Sequence, residues 1–570
     1  QRGLAINNNT INGGAGSTST VTGISMTSGV WGEIKNNTLT LSSSGITSAA
    51  MVGITCGFSG GSLANPNIIT ISGNNVTMSS ATMTTSAATG ITSSASGTGA
   101  QISVTGNTVN GCSFSASTSG AFTGISMSHT SASTVNTVTN NTVTNNSLAG
   151  TGQFLGLAGF NTTSAVVTGN LTFNNNVVSN NTKLSTGSMF CIYNGVGTGS
   201  TLTMTQNGNT VNGNVIVGGS AACTLVGVTA QATTFTMNAN TVTSNSVTTV
   251  NGTAAGNVLA IQSSGASTVS STITNNIVNG VTLGGVSSGA SLVRGILSTT
   301  ASTDSKVISG NDISNVNTSF TTSATCIGII SVNGGNADIK NNKIYNFTPG
   351  QNGTVFSGAK GIIVGGGATT NVYNNLIGFD YTTSTPVLVS NNSVVGLEVT
   401  AGTTANLYFN TIRLAGSGSG TGFGSSGINL TTTATNVDIR NNIVSNTMNG
   451  GGATAAAASV GLRRSATALT GYATTSNNNL WFTTAIPAAA TAIYFDGTTA
   501  YASLADFKTQ VASRESNSVS EDITPSMIST SGASANFLHI TSGASTLAES
   551  GGSSVSGITT DYDGDRKSVV

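Results

Sequence analysis

Apolar and polar residues alternate along most of the chain, and asparagine interrupts the alternation at regular intervals. In "VTNNTV" (138–143), two apolar residues flank a short polar stretch that ends in Asn and one further residue. Related stretches, such as "INNNTI" (6–11) and "IRNNIV" (439–444), recur at intervals of roughly 33 residues. The alternating β-branched residues predict short strands, and the asparagines predict a bend between them.

A second apolar element that contains glycine keeps the same period. It reads "VTGISM" (21–26), "FTGISM" (122–127) and "VVGLEV" (394–399). Each period therefore offers three short strands, and no helical periodicity competes with them. A propeller blade would need about 40 to 45 residues, which exceeds this period.

We predict an all-β protein whose repeats form a single right-handed parallel β-helix of about fifteen turns. The repeats occupy 1–480, and 481–570 form a C-terminal capping segment and Asp-rich tail. A different terminal segment is expected because a β-helix leaves the strands of its last turn unpaired.

The asparagine at the shared position of each period is predicted to be structural. Asparagine tolerates a left-handed backbone at a bend, and stacked side chains can hydrogen-bond from turn to turn. A catalytic or glycan-binding row is the alternative, but the asparagines recur throughout the repeats whereas sites are local. The predicted ladder comprises Asn9, Asn37, Asn74, Asn107, Asn141, Asn176, Asn209, Asn240, Asn276, Asn311, Asn342, Asn375, Asn410 and Asn442.

Charge is scarce in this chain. Charged residues make up 6%, and 16 basic residues balance 16 acidic ones. Such a chain has no electrostatic footprint for nucleic acid or for an anionic membrane. No apolar run approaches the roughly 20 residues of a transmembrane helix, and we expect no transmembrane segment. No signal peptide is visible, so we expect either that one was removed or that the sequence begins inside a longer chain.

Five cysteines, Cys56, Cys112, Cys191, Cys223 and Cys326, are widely spaced. We interpret them as small buried hydrophobic residues. A Cys191–Cys223 disulfide between neighbouring repeats is the alternative.

After Trp481 the repeat pattern ends. The stretch "YASLADFKTQVASRESNSVSEDITP" (501–525) predicts a short amphipathic helix followed by a turn. The pieces "YASLADF", "SNSVSEDI", "FLHITSGASTLAESGG" and "TTDYDGDR" resemble the closing segment of choice-of-anchor proteins, especially those of Bacteroidetes. The repeats resemble right-handed parallel β-helix proteins of bacterial surfaces. The resemblance implies an exported, extracellular or cell-surface protein whose terminal sorting element would follow.

The acidic residues predict little chemistry. Asp338 and Asp438 occupy equivalent places three turns apart, each beside a base (Lys340 and Arg440), and we expect solvated surface ion pairs. Paired catalytic carboxylates must lie closer together than three turns. We therefore expect no enzyme and no cofactor.

The motif "DYDGD" is the one candidate metal site. Asp561, Asp563 and Asp565 could gather oxygens around calcium, although the motif departs from the EF-hand pattern. A solvated turn is the alternative.

The leading functional hypothesis is a non-enzymatic structural or adhesive rod at the cell surface. Its open first turn and near-zero net charge favour end-to-end self-association into filaments. The alternative is a carbohydrate-binding or polysaccharide-degrading β-helix, with extracellular glycans as partners. That alternative needs exposed aromatic residues on a rung face, whereas Trp481, Tyr494 and Tyr501 gather near the C-terminal segment.

Overall fold

The computed structural model describes residues 3–14, 16–129, 134–159, 168–195, 201–218, 223–229, 234–249, 257–265, 270–285, 291–300, 305–320, 324–332, 334–350, 358–383, 388, 390–418, 420–431, 435–484 and 490–565. These form two compact units. Unit 1 comprises Gln1–Thr272 and Val281–Ser288, and unit 2 comprises Ile273–Gly280 and Gly289–Val570.

Each unit is built from three parallel β-sheets, A, B and C, which the chain visits in that order. The predicted all-β, parallel β-helix fold is confirmed. The solenoid has about 12 turns, slightly fewer than the fifteen expected. One copy of the asparagine motif has no strand of sheet A before it. Its asparagine, Asn479, follows an isolated bridge at Asn477 rather than a strand of sheet A.

In unit 1, strands are short in sheets A and B and longer in sheet C. Sheet A contains Leu4–Asn7, Trp31–Lys35, Ile68–Ser72, Gln101–Thr105, Thr134–Thr139, Thr168–Asn174, Thr201–Asn207 and Thr234–Asn238. Sheet B contains Thr10–Gly13, Thr38–Ser43, Asn75–Ser80, Thr108–Asn110, Ser113–Phe114, Thr142–Thr144, Ser147–Leu148, Val177–Ser179, Thr182–Lys183, Thr210–Asn212, Val215–Val217, Thr241–Thr243 and Ser246–Thr249. Sheet C contains Val21–Met26, Met51–Gly61, Ala88–Gly97, Phe122–His129, Phe154–Gly159, Met189–Asn194, Cys223–Thr229 and Asn257–Gly265.

Unit 2 repeats this arrangement, and the division between the units falls within Ser270–Thr274 and Ile277–Gly285. Sheet A contains Ser305–Ser309, Asn336–Lys340, Thr369–Tyr373, Thr404–Tyr408 and Val437–Arg440. Sheet B contains Asp312–Phe320, Lys343–Tyr345, Leu376–Tyr381, Thr411–Ser417, Ile443–Asn449 and Leu480–Thr483. Sheet C contains Ser291–Thr300, Ala324–Val332, Gly358–Gly365, Val394–Ala401, Ser425–Leu430, Ser459–Arg464, Thr491–Phe495 and Ala500–Tyr501, of which the last pairs antiparallel.

The alternation in the sequence becomes stacked columns of side chains. Ile34, Ile71, Val104 and Val138 are register partners in neighbouring strands of sheet A, and each is 0% exposed. Burying each such side chain contributes about 1.5–3 kcal/mol. The alternate residues of the same strands face outward, and many of them are Ser or Thr, such as Thr70, Ser103 and Thr137.

The recurrent glycine of sheet C is explained by close contact between turns. A Cβ on Gly53 would lie 2.4 Å from the carbonyl oxygen of Gly90 and 2.5 Å from Cγ1 of Val76. A Cβ on Gly90 would meet the carbonyl of Gly124 at 2.5 Å. No larger residue fits there without displacing the next turn, so the glycine recurs with the period of the fold.

Two neighbouring residues have different roles in the bend between sheets A and B: the first has the left-handed backbone and the second is the ladder asparagine. The residue before each ladder asparagine adopts the left-handed conformation, as in Asn36 (φ 53°), Asn140 (φ 57°) and Gly73 (φ 64°). The ladder asparagines do not adopt it. We had expected one asparagine to tolerate the left-handed backbone and to form the ladder, and that assignment was wrong by one residue.

The chain beyond 480 continues the solenoid before it departs from it. Leu480–Thr483 and Thr491–Phe495 extend sheets B and C, so the repeat persists past the predicted boundary at 480. A helix then spans Leu504–Val511, within the stretch predicted to be helical, and short 3-10 turns occupy Ala455–Ala457 and Thr524–Ser526. No helix in the described part of the chain is long and apolar enough to span a membrane. The role of 481–570 as a cap remains a prediction.

The helix packs against the end of the solenoid. Ser503 accepts a hydrogen bond from the Asp506 backbone N–H at 3.1 Å, which satisfies one of the unpaired amides at the helix N-terminus. Phe507 is 0% exposed, and its ring centroid lies 4.6 Å from that of Tyr494 and 6.1 Å from that of Trp481. Two of the aromatics that we had placed near this segment, Trp481 and Tyr494, are therefore buried.

Candidate functional site

The predicted asparagine ladder is present in each unit. The backbone N–H and the side-chain Nδ2 of Asn141 both donate to Oδ1 of Asn176, at 3.0 and 3.1 Å. Asn141 Oδ1 in turn accepts hydrogen bonds from the backbone N–H and the side-chain Nδ2 of Asn107. Asn141 Nδ2 also donates to the Val104 carbonyl at 2.8 Å. All fourteen predicted asparagines make such contacts within their own unit, and Asn479 extends the ladder of unit 2. The ladder is structural, as predicted.

A second ladder in unit 1 was not predicted. It contains Asn146, Asn181, Asn214 and Asn245, which are linked in the same way at 2.9 Å between Nδ2 and Oδ1. Each of these asparagines lies five residues after a member of the first ladder, and the stretch "VTNNTVTNN" (138–146) shows both. That spacing could have revealed it.

In unit 2, the last asparagine of the ladder donates to a buried carboxylate. Asn479 Nδ2 donates to both oxygens of Glu515 at 3.1 Å, and its backbone N–H donates to Ser518 Oγ at 2.9 Å. Glu515 also accepts from Tyr472 Oη at 2.5 Å, from Trp481 Nε1 at 2.8 Å and from Ser518 Oγ. Burial raises the pKa of this 0%-exposed carboxyl, although the surrounding donors oppose that shift. Sequence reasoning missed Glu515 because nothing local marks a buried acid.

Asp338 and Asp438 lie on the outer face of sheet A, three rungs apart as expected, with Asn371 and Asn406 between them. Asn371 Nδ2 donates to Asp338 Oδ1 at 2.9 Å, and Asn406 Nδ2 donates to Asn371 Oδ1 at 2.8 Å. The acids thus belong to a polar column and are not brought together.

Of the two ion pairs expected beside Asp338 and Asp438, the described residues form one. Arg440 pairs with Asp438, which is only 5% exposed and accepts from Tyr408 Oη at 2.8 Å, so the acid is buried whereas the Arg440 side chain is half-buried. Lys340 makes no ion pair with Asp338 among the described residues, and instead its Nζ lies 5.4 Å from the ring centroid of Tyr373. Tyr373 and Tyr408 are neighbouring aromatic residues on this face of sheet A, of which Tyr373 is half-buried and Tyr408 is buried.

The three aspartates of the C-terminal motif do not converge. Asp561 Oδ1 accepts the backbone N–H groups of Asp563 and Asp565, both at 3.0 Å. Asp563 Oδ2 lies 2.7 Å from Nε2 of His539. Among the described residues no three His, Cys, Asp or Glu side chains form a group that could hold a metal. Calcium binding by Asp561, Asp563 and Asp565 remains a prediction.

The five cysteines are buried and free of disulfides. Burial raises the pKa of the Cys112 thiol to about 12. The first interpretation is thus confirmed, and Cys191 and Cys223 are not bonded to each other.

The end of the chain runs along the bend of unit 2. Four residues from the left-handed position of that bend, here named the corner asparagines, are Asn341, Asn374, Asn441 and Asn478. Their side chains bind backbone groups of the C-terminal residues, so the contact does not depend on the side chains of those residues. The bonds run from Asn341 Nδ2 to Tyr562 O (2.7 Å), from Asn374 Nδ2 to Thr560 O (2.8 Å), from Asn441 Nδ2 to Ser553 O (2.8 Å), from Ser553 N to Asn441 Oδ1 (2.9 Å) and from Asn478 Nδ2 to Gly551 O (3.0 Å).

Apolar residues on the outer face of sheet B hold the same segment. Leu376 and Leu480 cluster with Ile523, Phe537 and Leu538, all at most 5% exposed. At the corresponding outward positions, unit 1 has residues such as Thr142 and Thr210. The replacement of Thr by Leu at outward positions was a signal that this face is covered, and sequence reasoning missed it.

A charged cluster lies under the same segment. Lys343 Nζ is 3.9 Å from Asp312 Oδ2, 5.0 Å from the ring centroid of Tyr345, and donates to the Ser534 carbonyl at 3.0 Å. Burial raises the pKa of Asp312, and Lys343 opposes this.

A cavity of about 430 Å³ lies between the segment and sheet B. Leu376, Ile443 and Leu480 of sheet B form one wall, and residues 538–563 form much of the opposite wall. Its size falls within the range of about 300–1,000 Å³ that is usual for small-molecule sites.

Comparison of the chain with family models, with curated proteins and with solved structures finds no match. The resemblance of the C-terminal segment to choice-of-anchor proteins therefore remains a prediction.

Proposed function

We propose that this protein is a non-enzymatic structural or adhesive β-solenoid of the bacterial cell surface or extracellular space. The observation that carries the proposal is the continuous asparagine ladder of each unit. From Asn37 onward each ladder asparagine is buried and bonds its neighbour within the unit, so the repeated polar residues hold successive turns together. A chain built in this way resists local opening, which suits a structural element.

The outward faces support the same role. In sheet A of unit 1, the register partners Thr137, Thr172, Thr205 and Thr236 form an uncharged column. The same column also contains Glu33, whose carboxylate pairs with Lys35 at 2.7 Å. Uncharged hydroxyl and amide surfaces are suited to weak, repeated contacts with other surfaces.

End-to-end assembly is the finer part of the proposal. An assembly that continued the ladder of unit 2 would need the donors of Asn479, which Glu515 and Ser518 already occupy. Filament growth through this end therefore requires residues 515–518 to move. Electron microscopy of the purified chain over a range of concentrations tests this point. Filaments that grow through this end are expected only if residues 515–518 move away from Asn479.

Protease treatment of intact cells that make the protein tests the location. The proposal expects digestion of the protein on intact cells, with a cytoplasmic marker left uncut. Digestion only after lysis would overturn it.

A glycan-depolymerisation assay tests the absence of enzymatic activity. No release of reducing ends is expected from the wild type. Turnover that is lost in Asp338→Ala or Asp438→Ala would contradict the non-enzymatic proposal.

A further inference from the structure

Apolar residues line both sides of the cavity under the C-terminal segment. Leu376, Ile443 and Leu480 line it from the outer face of sheet B, and Val555 and Ile558 line it from the C-terminal segment. Removing a hydrocarbon chain from water into such a space is favourable in proportion to the apolar area that is buried. The cavity therefore suits a ligand with an apolar body.

The amide side chains of the lining already have partners within the protein. Asn374, Asn441 and Asn478 donate to backbone carbonyls of the C-terminal segment at 2.8 to 3.0 Å. Asn442 belongs to the asparagine ladder. A ligand rich in hydrogen-bonding groups would give up its bonds to water without gaining bonds to these amides, which again favours an apolar ligand.

Acidic residues give the lining a net negative charge. Glu549, Asp561 and Asp563 contribute to it, whereas His539 is its only basic residue in the part of the chain that the structure describes. Neither Glu549 nor Asp561 forms an ion pair among the described residues. Burial raises the pKa of Tyr562, which also lines the cavity, to about 12, and the charges of nearby acids add to that rise. A cationic group is therefore favoured in this cavity, and an anionic group is disfavoured.

We propose that this cavity binds a cationic amphiphile, a small molecule with a hydrocarbon chain and an ammonium head group. The chain lies over Leu376, Ile443 and Leu480, and the head group lies beside the acidic residues of the lining. Burial of the chain supplies the affinity, and the charge of the lining supplies the selectivity. The inference does not rest on the structural role proposed above, and failure of either leaves the other standing.

Isothermal titration calorimetry with the full chain tests the site, with decyltrimethylammonium and decanoate as probes at concentrations below those that form micelles. The two probes share a chain and differ in charge, and we expect the cation to bind at least about 10-fold more tightly. Ile443→Trp fills the cavity and should abolish binding of the cation. The matched control is Val177→Trp, because Val177 is also half-buried and also follows a ladder asparagine in sheet B, but in unit 1. It should leave binding unchanged.

A second variant keeps the test independent of whether Ile443→Trp folds. The double substitution Glu549→Gln and Asp561→Asn removes two charges but keeps the side-chain oxygen of residue 561 that accepts the backbone N–H groups of Asp563 and Asp565. It should reduce the preference for the cation over the anion to within about 3-fold. The proposal is overturned if decyltrimethylammonium does not bind, if decanoate binds as tightly, if binding survives Ile443→Trp, or if the double variant keeps the wild-type preference.

Discussion

Glu515 tests how the ladder of unit 2 ends. Replacing it with Ala leaves the Trp481 Nε1–H and one N–H of Asn479 without an acceptor, whereas the hydroxyls of Tyr472 and Ser518 can rotate. Each stranded buried donor costs about 1–3 kcal/mol, so Glu515→Ala should lower the free energy of unfolding by about 2–6 kcal/mol.

Glu515→Gln separates hydrogen bonding from charge. A glutamine oxygen can accept from Trp481 and Asn479 while its NH2 group donates to the Tyr472 hydroxyl, so the loss should stay within about 1 kcal/mol. The folded protein holds the Glu515 proton more tightly than the unfolded chain does, because burial raises its pKa. Wild-type stability should therefore fall as pH rises above the ordinary Glu pKa of about 4.3, and Glu515→Gln should lack that component.

Urea unfolding in a Trp31→Phe background provides the assay, because Trp481 is then the only tryptophan and reports on this end of unit 2. Glu549→Ala, which removes an exposed acid, is the control and should unfold like the wild type. Equal midpoints for Glu515→Ala and the wild type would refute the reasoning.

Three further predictions concern unit 1. Asn141→Ala removes a buried ladder residue and should lower the free energy of unfolding in urea by about 2–5 kcal/mol. Asn145→Ala removes an exposed residue in a left-handed position of the same turn and should lower it by about 1–2 kcal/mol, so equal losses would contradict the ladder. Burial lowers the pKa of Lys183 to about 8, so the unfolded chain binds more protons between about pH 8 and 10.4, and stability should rise with pH across that window in the wild type but not in Lys183→Met. The buried thiols, represented by Cys112 with its pKa raised to about 12, should not react with a thiol-specific reagent until the chain unfolds, and fast labelling of the native protein would show that they are accessible.

The sequence was informative wherever one feature repeats. The 33-residue recurrence of Asn and the Gly-Ile strands predicted three strands per turn and every member of the first ladder except Asn479, because the same packing recurs in each turn. The left-handed residue was misplaced by one position, since both residues of an Asn-Asn pair satisfy the same local rule.

The sequence was uninformative where contacts depend on distant residues. Asn441 and Ser553 are 112 positions apart, and Tyr472 and Glu515 are 43 apart. Neither pair follows from local periodicity, so the covered face of sheet B, its cavity and the buried carboxylate could not be placed. The outward leucines Leu376 and Leu480 were the available local signal.

Single-molecule stretching of the chain from its ends tests the central claim, that ladder-bonded rungs make a structural element. The account predicts discrete extensions of about 110 Å, the contour length of one rung of roughly 33 residues, with the steps of unit 1 at lower force in Asn141→Ala. Smooth extension without steps, or unfolding forces that Asn141→Ala leaves unchanged, would contradict it.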